Sequence, residues 1–347
     1  MPPRPVLTDA APTRRAALLG LAALPLLPAA PRAQQQGGGG GGREVVIVSN
    51  ERDNTLTVVD AGRLEVTRTV EVGGRPRGLT LARSGRELYV CCGDDDRIDV
   101  LNLESWRVTH TLPSGPDPEL AALHPNGRLL YVANEDDNLV TVLDVEARAA
   151  VTEIPVGVEP EGMGVSNDGR WMVNTSETTN MAHVVDTATN EIVANVLVDS
   201  RPRAVVFEPG DARFWVSSEI GGTVSVIDTE RREIVGKVEF PVQGVPSEAV
   251  QPVGMALTRD ARKMFVALGP ANRVAVVDVA TLRVERTILV GQRVWNVALG
   301  LDGTRAYTTN GVSNDITVID VDAMRPVRSV GVGRLPWGVV VARVPNA

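Results

Sequence analysis

LYVANEDDNLVTVLD, Leu130 to Asp144, is the stretch from which the architecture can be read. Two short runs rich in apolar and β-branched residues flank a polar turn, Glu135 to Asn138, a pattern that predicts two strands of a β-hairpin. Its second half, LVTVLD, returns along the whole chain. The copies read TLTVVD ending at Asp60, IDVLN at Asn102, AHVVD at Asp186, TVSVID at Asp228, VAVVD at Asp278 and ITVID at Asp320. With Asp144 in its place the spacings are 42, 42, 42, 42, 50 and 42 residues. A second marker, Pro76, Pro118, Pro160, Pro202, Pro252, Val294 and Pro336, keeps the same intervals, and the single 50 reflects an eight-residue excess around Pro241 to Val250. Seven units with that excess account for 302 residues, Arg43 to Val344.

Each unit holds four short strands. In one copy strand A is Gly162 to Asn167, the turn Asp168-Gly169 follows, and strands B, C and D cover Arg170 to Thr175, Met181 to Asp186 and Glu191 to Val198. Asn126-Gly127 and Asp302-Gly303 repeat the turn chemistry that tight hairpins require. Four strands of about six residues account for a period near 40, and such units stack radially as the blades of a propeller. The expected fold is therefore an all-β, seven-bladed β-propeller. The middle residue of strand C is valine in every copy: Val58, Val100, Val142, Val184, Val226, Val276 and Val318. A β-branched side chain there suits a core between neighbouring blades. The repeated part enters at strand B, Val45 to Ser49, and leaves at strand A, Trp337 to Val341. One blade must then combine both ends of the chain in a 1+3 closure, which removes free sheet edges.

The segment before the repeats reads as export machinery. Arg14-Arg15 precedes an apolar run, Ala16 to Ala30, shorter than the roughly 20 residues of a membrane-spanning helix and broken by Pro25 and Pro28. We expect residues 1–33 to be an export signal of the twin-arginine type, general secretion being the alternative, residues 34–43 to be a glycine-rich linker, and residues 44–344 to form the propeller. The expected location is the periplasm. The formal net charge is −8 and only two lysines are present, Lys237 and Lys263. With the arginines scattered there is no basic stripe, so nucleic acid is not an expected partner. No membrane span is expected, and the expected state is a monomer.

Residues just before strand A and just after strand B fall on one face, the mouth of the central channel. Reading one position per blade gives three series there. After the proline position come Arg77, Glu119, Glu161, Arg203, Val253, Trp295 and Trp337; before it Arg75, Asp117, Glu159, Arg201, Gln251, Arg293 and Leu335; at the end of strand B Glu51, Gly93, Glu135, Glu177, Glu219, Gly269 and Gly311. One arc is charged and the opposite arc carries Val253, Trp295, Leu335 and Trp337. Such a mouth suits an amphiphilic organic molecule or a protein anchor. The alternative is that arginines and carboxylates simply pair with one another. The mouth side chains are expected to project from loops, with Arg232 in strand D as an outer-face contrast.

Enzyme motifs are missing. His110, His124 and His183 fall at unrelated repeat positions, and His183 replaces a Thr or Ser, which points to a structural hydrogen bond. No H-x-x-H, C-x-x-C, G-x-S-x-G or P-loop pattern occurs. No catalytic residue, metal, haem or covalent flavin is expected. Cys91 and Cys92 are adjacent, as two thiols or as a vicinal disulfide.

LYVCCGDDDRIDVLN (Leu88 to Asn102) and the opening stretch resemble the YVTN family of propeller repeats. The segments SGPDPELAALHPNGR (Ser114 to Arg128), GVEPEGM (Gly157 to Met163), NTSETTNMAH (Asn174 to His183), EIGGTVSVID (Glu219 to Asp228), ALGPANRVAVVD (Ala267 to Asp278), VGQRVW (Val290 to Trp295) and TNGVSNDITVID (Thr309 to Asp320) are similar to one branch, the PQQ-dependent catabolism-associated β-propeller proteins. The resemblance implies a periplasmic protein linked to alcohol oxidation by pyrroloquinoline quinone enzymes, with a PQQ-dependent dehydrogenase or a small organic ligand as partner. It supplies no catalytic residues, and Cys91-Cys92 departs from the Cys-Asn or Ala-Asn of that branch. The chain, with five tryptophans, does not resemble the eight-bladed quinoprotein dehydrogenases. The expected function is a non-catalytic binding or scaffold propeller. A lactonase-like hydrolase, with Glu135, Glu177 and His183 as its only candidate groups, and a structural surface-interaction protein are the alternatives.

Overall fold

The computed structural model describes residues 42–346, so the expected export signal and nearly all of the linker lie outside the described residues. Seven four-stranded antiparallel sheets form a ring. Blade 1 joins strand A from the C-terminal end, Pro336–Pro345, to Gly42–Asn50, Thr55–Asp60 and Glu65–Glu71. Blades 2 to 7 occupy residues 76–113, 118–155, 160–197, 202–239, 255–289 and 294–331. The closing register sets Val45 opposite Ala342 and Ile47 opposite Val340, and the pairing runs on to Gly42 and Pro345.

The core is seven separate apolar layers, one in each gap between blades. The repeated valine of strand C lies in each of them: Val58 between blades 1 and 2, Val226 between 5 and 6, Val318 between 7 and 1. All seven of these valines are buried. Directly after each valine the C–D pairing slips by one residue, as between Val142 and Leu143. A bulge there bends the outer strand and raises the twist that lets each blade lie across the next. The outer strands show apolar residues such as Val151 and Leu289 singly.

Toward the axis the inner strands converge until backbones touch. A Cβ on Gly162 would stand 2.3 Å from the Arg203 carbonyl oxygen, and one on Gly338 2.3 Å from that of Arg77. Only glycine permits that approach. Strand B bridges the same gap with a hydroxyl. Ser49 Oγ accepts from Gly338 N (2.8 Å) and donates to the Arg77 carbonyl of the next blade (2.8 Å). Ser217 links Ala204 N to the Val253 carbonyl, and Thr309 links Asn296 N to that of Trp337. Cys91 occupies this position in blade 2 and is fully buried; Cys92, also buried, follows it, and both thiols are free. Burial pushes both thiols up, Cys92 to about 12.

The eight-residue excess returns Phe240 and Val250 into the layer between blades 5 and 6. It also shortens the inner strand of blade 6 to Met255–Leu257.

Candidate functional site

The mouth is built on a strained backbone position repeated in six blades. Arg75, Asp117, Glu159, Arg201, Arg293 and Leu335 all have φ between 49° and 59°. Non-glycine residues seldom adopt this region, and here hydrogen bonds on both sides hold it. Each N–H donates to the side-chain oxygen of an Asn or Asp in the B–C turn of the preceding blade, for example Glu159 N to Asn138 Oδ1 at 3.2 Å and Arg201 N to Asn180 Oδ1 at 3.1 Å. Each carbonyl accepts from the residue that ends strand B, as in Glu177 N to Glu159 O at 2.8 Å. The chain then turns through the proline position and starts strand A. One mouth side chain is thereby presented before the turn, one after it, and one from strand B. The Asn or Asp at Asn54, Asp96, Asn138, Asn180, Asn272 and Asn314 keeps the repeat spacing, with Gly222 in its place in blade 5, and is a signal legible in the sequence.

The side chains so placed form a linked network. Arg77 donates to Glu119 at 2.5 Å and reaches Glu51 at 3.3 Å; Arg75 pairs with Asp117 and, at 3.2 Å, with Glu119. Across blades 4 and 5, Arg203 pairs with Glu161 (3.1 Å), Glu177 and Glu219 (3.6 Å), and Arg201 with Glu177 (2.8 Å) and Glu219 (3.2 Å). Arg293 reaches Glu219 at 2.9 Å. Glu119, Glu161, Glu177, Glu219 and Arg203 are all buried.

Three expectations need correction. The mouth groups Arg77, Glu119, Glu161, Arg203, Trp295 and Trp337 belong to inner strands and do not project from loops. Arg203 and Trp337 are 5% and 2% exposed, so truncating either disturbs the packed channel. The charged and aromatic arcs are not opposed: Arg77 lies over Trp337 at 5.6 Å, and Arg293 and Arg203 lie over Trp295 at 4.3 and 5.9 Å. Cation–π attraction draws them together. Arg232 lies in the turn before strand D, over Trp171 at 5.1 Å, and is no neutral contrast. Trp295 itself is half-buried and rests on Gly311, where a Cβ would stand 2.5 Å from the indole nitrogen.

Electrostatics divides the carboxylates. Glu119 loses hydration by burial, yet Arg77 and Arg75 hold it below its ordinary value. Glu135 has no ion pair and hydrogen-bonds Glu119; burial, and then that bond and charge, push it up to about 7. Burial pushes Glu161 up to about 8, with Arg203 opposing and Glu119 adding to the shift. Asp117, Glu119 and Glu135 each place an oxygen within 4.8 Å of the other two. The trio takes one residue from each of the three repeat positions, which are all acidic in blade 4 as well (Glu159, Glu161 and Glu177). The sequence cannot tell the two blades apart, because only distances in the folded ring bring the blade 3 oxygens together.

The other candidate groups are tied down. Glu177 is held by two arginines. His183 Nε2 accepts from Gly157 N at 3.0 Å, so Nδ1 carries the proton and donates to Asn195 Oδ1 at 2.6 Å. Burial lowers its pKa, which keeps the acceptor neutral. It ties the loop entering blade 4 to strands C and D of that blade as a structural group.

Residues 88–205 match the model of the family described as Cytochrome D1 heme domain. No curated protein matches. Among solved structures, the chain is similar to Kuenenia stuttgartiensis hydrazine synthase at 22% identity, covering 80% of this chain and 92% of that one, with a TM-score of 0.72. A functionally unknown protein from Desulfotomaculum acetoxidans DSM 771 aligns at 14% identity over 87% and 99%, with a TM-score of 0.75. The dihydro-heme d1 dehydrogenase NirN in complex with DHE aligns at 15% identity over 85% and 74%, with a TM-score of 0.65. These likenesses establish the propeller fold. The residues do not fit a haem iron ligated by histidine from the channel. His110 is on an outer strand, His124 bonds Gly169 at the opposite end of its blade, and His183 is committed to Gly157. Among the described residues no helix is long and apolar enough to cross a membrane.

Proposed function

We propose that the protein is a non-catalytic binding or scaffold propeller that serves a PQQ-dependent oxidation of alcohols in the periplasm. Its partner, a small organic ligand or a dehydrogenase, sits at the channel mouth. One observation carries the binding part: Trp295 is half-buried at the mouth, with its indole held in place by Arg293, Arg203 and Gly311. An aromatic group fixed before binding loses little freedom on contact, and tryptophan with arginine often dominates binding energy. Arg203 is held by Glu161, Glu177 and Glu219, and Arg293 by Glu219 and Gln251, so both are fixed in place to orient the indole. The oxidation system and the compartment rest on the repeat resemblance.

The test is co-purification from the native host during quinone-dependent growth. Trp295→Ala should weaken retention of the partner about tenfold or more, with the melting curve unchanged in cooperativity. Arg262→Ala, whose side chain is 81% exposed, should have no effect. Equal retention by Trp295→Ala would remove the mouth from consideration.

A hydrolase remains a second reading because Glu135, pushed up to about 7, sits in the range a general base needs. Turnover of a lactone panel that disappears in Glu135→Gln would put it first.

A further inference from the structure

The mouth network carries more negative than positive charge. Setting aside Asp94, 66% exposed, its carboxylates are Glu51, Asp117, Glu119, Glu135, Glu161 with Glu177 and Glu219, against Arg75, Arg77, Arg201, Arg203 and Arg293. With every one of these groups counted as ionised the excess is two, and it is concentrated in blade 3. Glu135 meets only another carboxylate, that of Glu119. Glu161, 1% exposed in the adjoining blade 4, contacts Arg203 through Oε1, while its Oε2 is buried without any hydrogen-bond donor. A buried carboxylate oxygen left without a donor is costly, and such an atom marks a place where something positive belongs.

From this geometry we infer a divalent cation site, best suited to Ca²⁺, formed by Asp117, Glu119 and Glu135, with Glu161 beside it. The ligand set is entirely oxygen, which selects hard cations over zinc or copper. Oxygens within 4.8 Å of one another fit opposite sides of an ion whose Ca–O bonds are about 2.3–2.6 Å. One divalent ion cancels the excess charge and relieves the contact between Glu119 and Glu135. Arg75 and Arg77 use single lone pairs of Asp117 and Glu119, and each carboxylate oxygen has a second. Bound there, the ion would tie the start of strand A to the end of strand B within blade 3. It would also set the charge that a ligand meets on reaching Trp295.

The site goes beyond the binding function proposed above and is tested separately. Chelator-stripped full-length protein is titrated with CaCl₂ in a calorimeter and melted with and without it. The expected result is one equivalent bound and a raised melting temperature. Glu135→Gln and Glu161→Gln should each weaken binding about tenfold or more, while melting in chelator at or above the parent temperature, since Glu135 makes no ion pair and Glu161 leaves a buried oxygen without a donor. Asp260→Asn, at a carboxylate 60% exposed, should bind as the parent does. Absence of heat and of any melting shift at about 10 mM Ca²⁺, beyond the ~10⁻³ M of weak extracellular sites, would overturn the site. So would unchanged binding by Glu135→Gln, or equal weakening by Asp260→Asn. Loss of Ca²⁺ binding leaves the Trp295 retention test standing, and loss of retention leaves the titration standing.

Discussion

At the scale of single residues, the chain stores its unusual chemistry in carboxyl groups whose partners do not offset their burial. Glu135 and Glu161 bind protons in the folded chain up to about 7 and about 8, and in the unfolded chain only up to the ordinary 4.5. Between those values the folded state holds more protons. Their contribution to stability is therefore fully present below the ordinary carboxyl range and is lost as pH rises through the folded values. His183 acts in the opposite sense, since its lowered pKa costs stability as pH falls below the ordinary 6.5. A window from about pH 7 to about pH 8 lies above the ordinary range of His183 and below the ordinary range of the two buried thiols, and so isolates the glutamates. In chelator, the urea midpoint of the parent should fall across that window, and Glu161→Gln should flatten the decline. Parallel slopes would show that Glu161 is ionised in the folded protein.

At the scale of the element, strand B acts as the joint between blades. Its penultimate position holds the hydroxyl that couples one inner strand to the next, as Ser49, Ser217 and Thr309 do. Cys91 stands there in blade 2 as a buried thiol whose neighbours are Gly78 and the Glu119 carbonyl. Burial also raises both thiol pKa values, and the thiolate is the reactive form. An aromatic disulfide reagent should therefore modify neither Cys91 nor Cys92 in the native protein and both in denaturant. Rapid stoichiometric modification without denaturant would mean that blade 2 opens locally. The neighbouring position shows paired change. Asn50 and Asn134 clamp the incoming loop through Gly333 N and the Gly115 carbonyl. Where Cys92 replaces that asparagine, Asp99 accepts from Gly73 N instead, and in blade 4 His183 does so for Gly157. The hydrogen bond is kept while its donor or acceptor moves to the facing strand.

At the scale of the molecule, closure is the decisive contact. Pro336–Pro345 pairs with Gly42–Asn50 and completes two of the seven apolar layers, supplying Ala342 and Val344 to one and Val341 to the other. In a ring of repeats each blade is stabilised chiefly by its two neighbours. Removing residues 336–347 exposes a sheet edge and both layers at once. That deletion should abolish the single cooperative unfolding transition in calorimetry. A truncated chain that melts like the parent would refute the closure as the source of cooperativity.

The repeat determined the blade count, the 1+3 closure and the buried valines, with strand boundaries within about two residues in the unit read strand by strand and short of the observed ends in the closing pair, which runs on to Gly42 and Pro345. These follow from period-2 alternation and turn chemistry, which are local and occur seven times over. The positions around the mouth were legible for the same reason, since each is fixed by its place in the unit. What the sequence could not reveal was how those side chains meet. Arg203 reaching back to Glu161 and Glu177, Arg77 lying over Trp337, and Glu135 left against Glu119 depend on distances across the channel between residues far apart in the chain. Long, flexible guanidiniums choose among several carboxylates by three-dimensional geometry, and only closing the ring decides which charges are matched and which are left over.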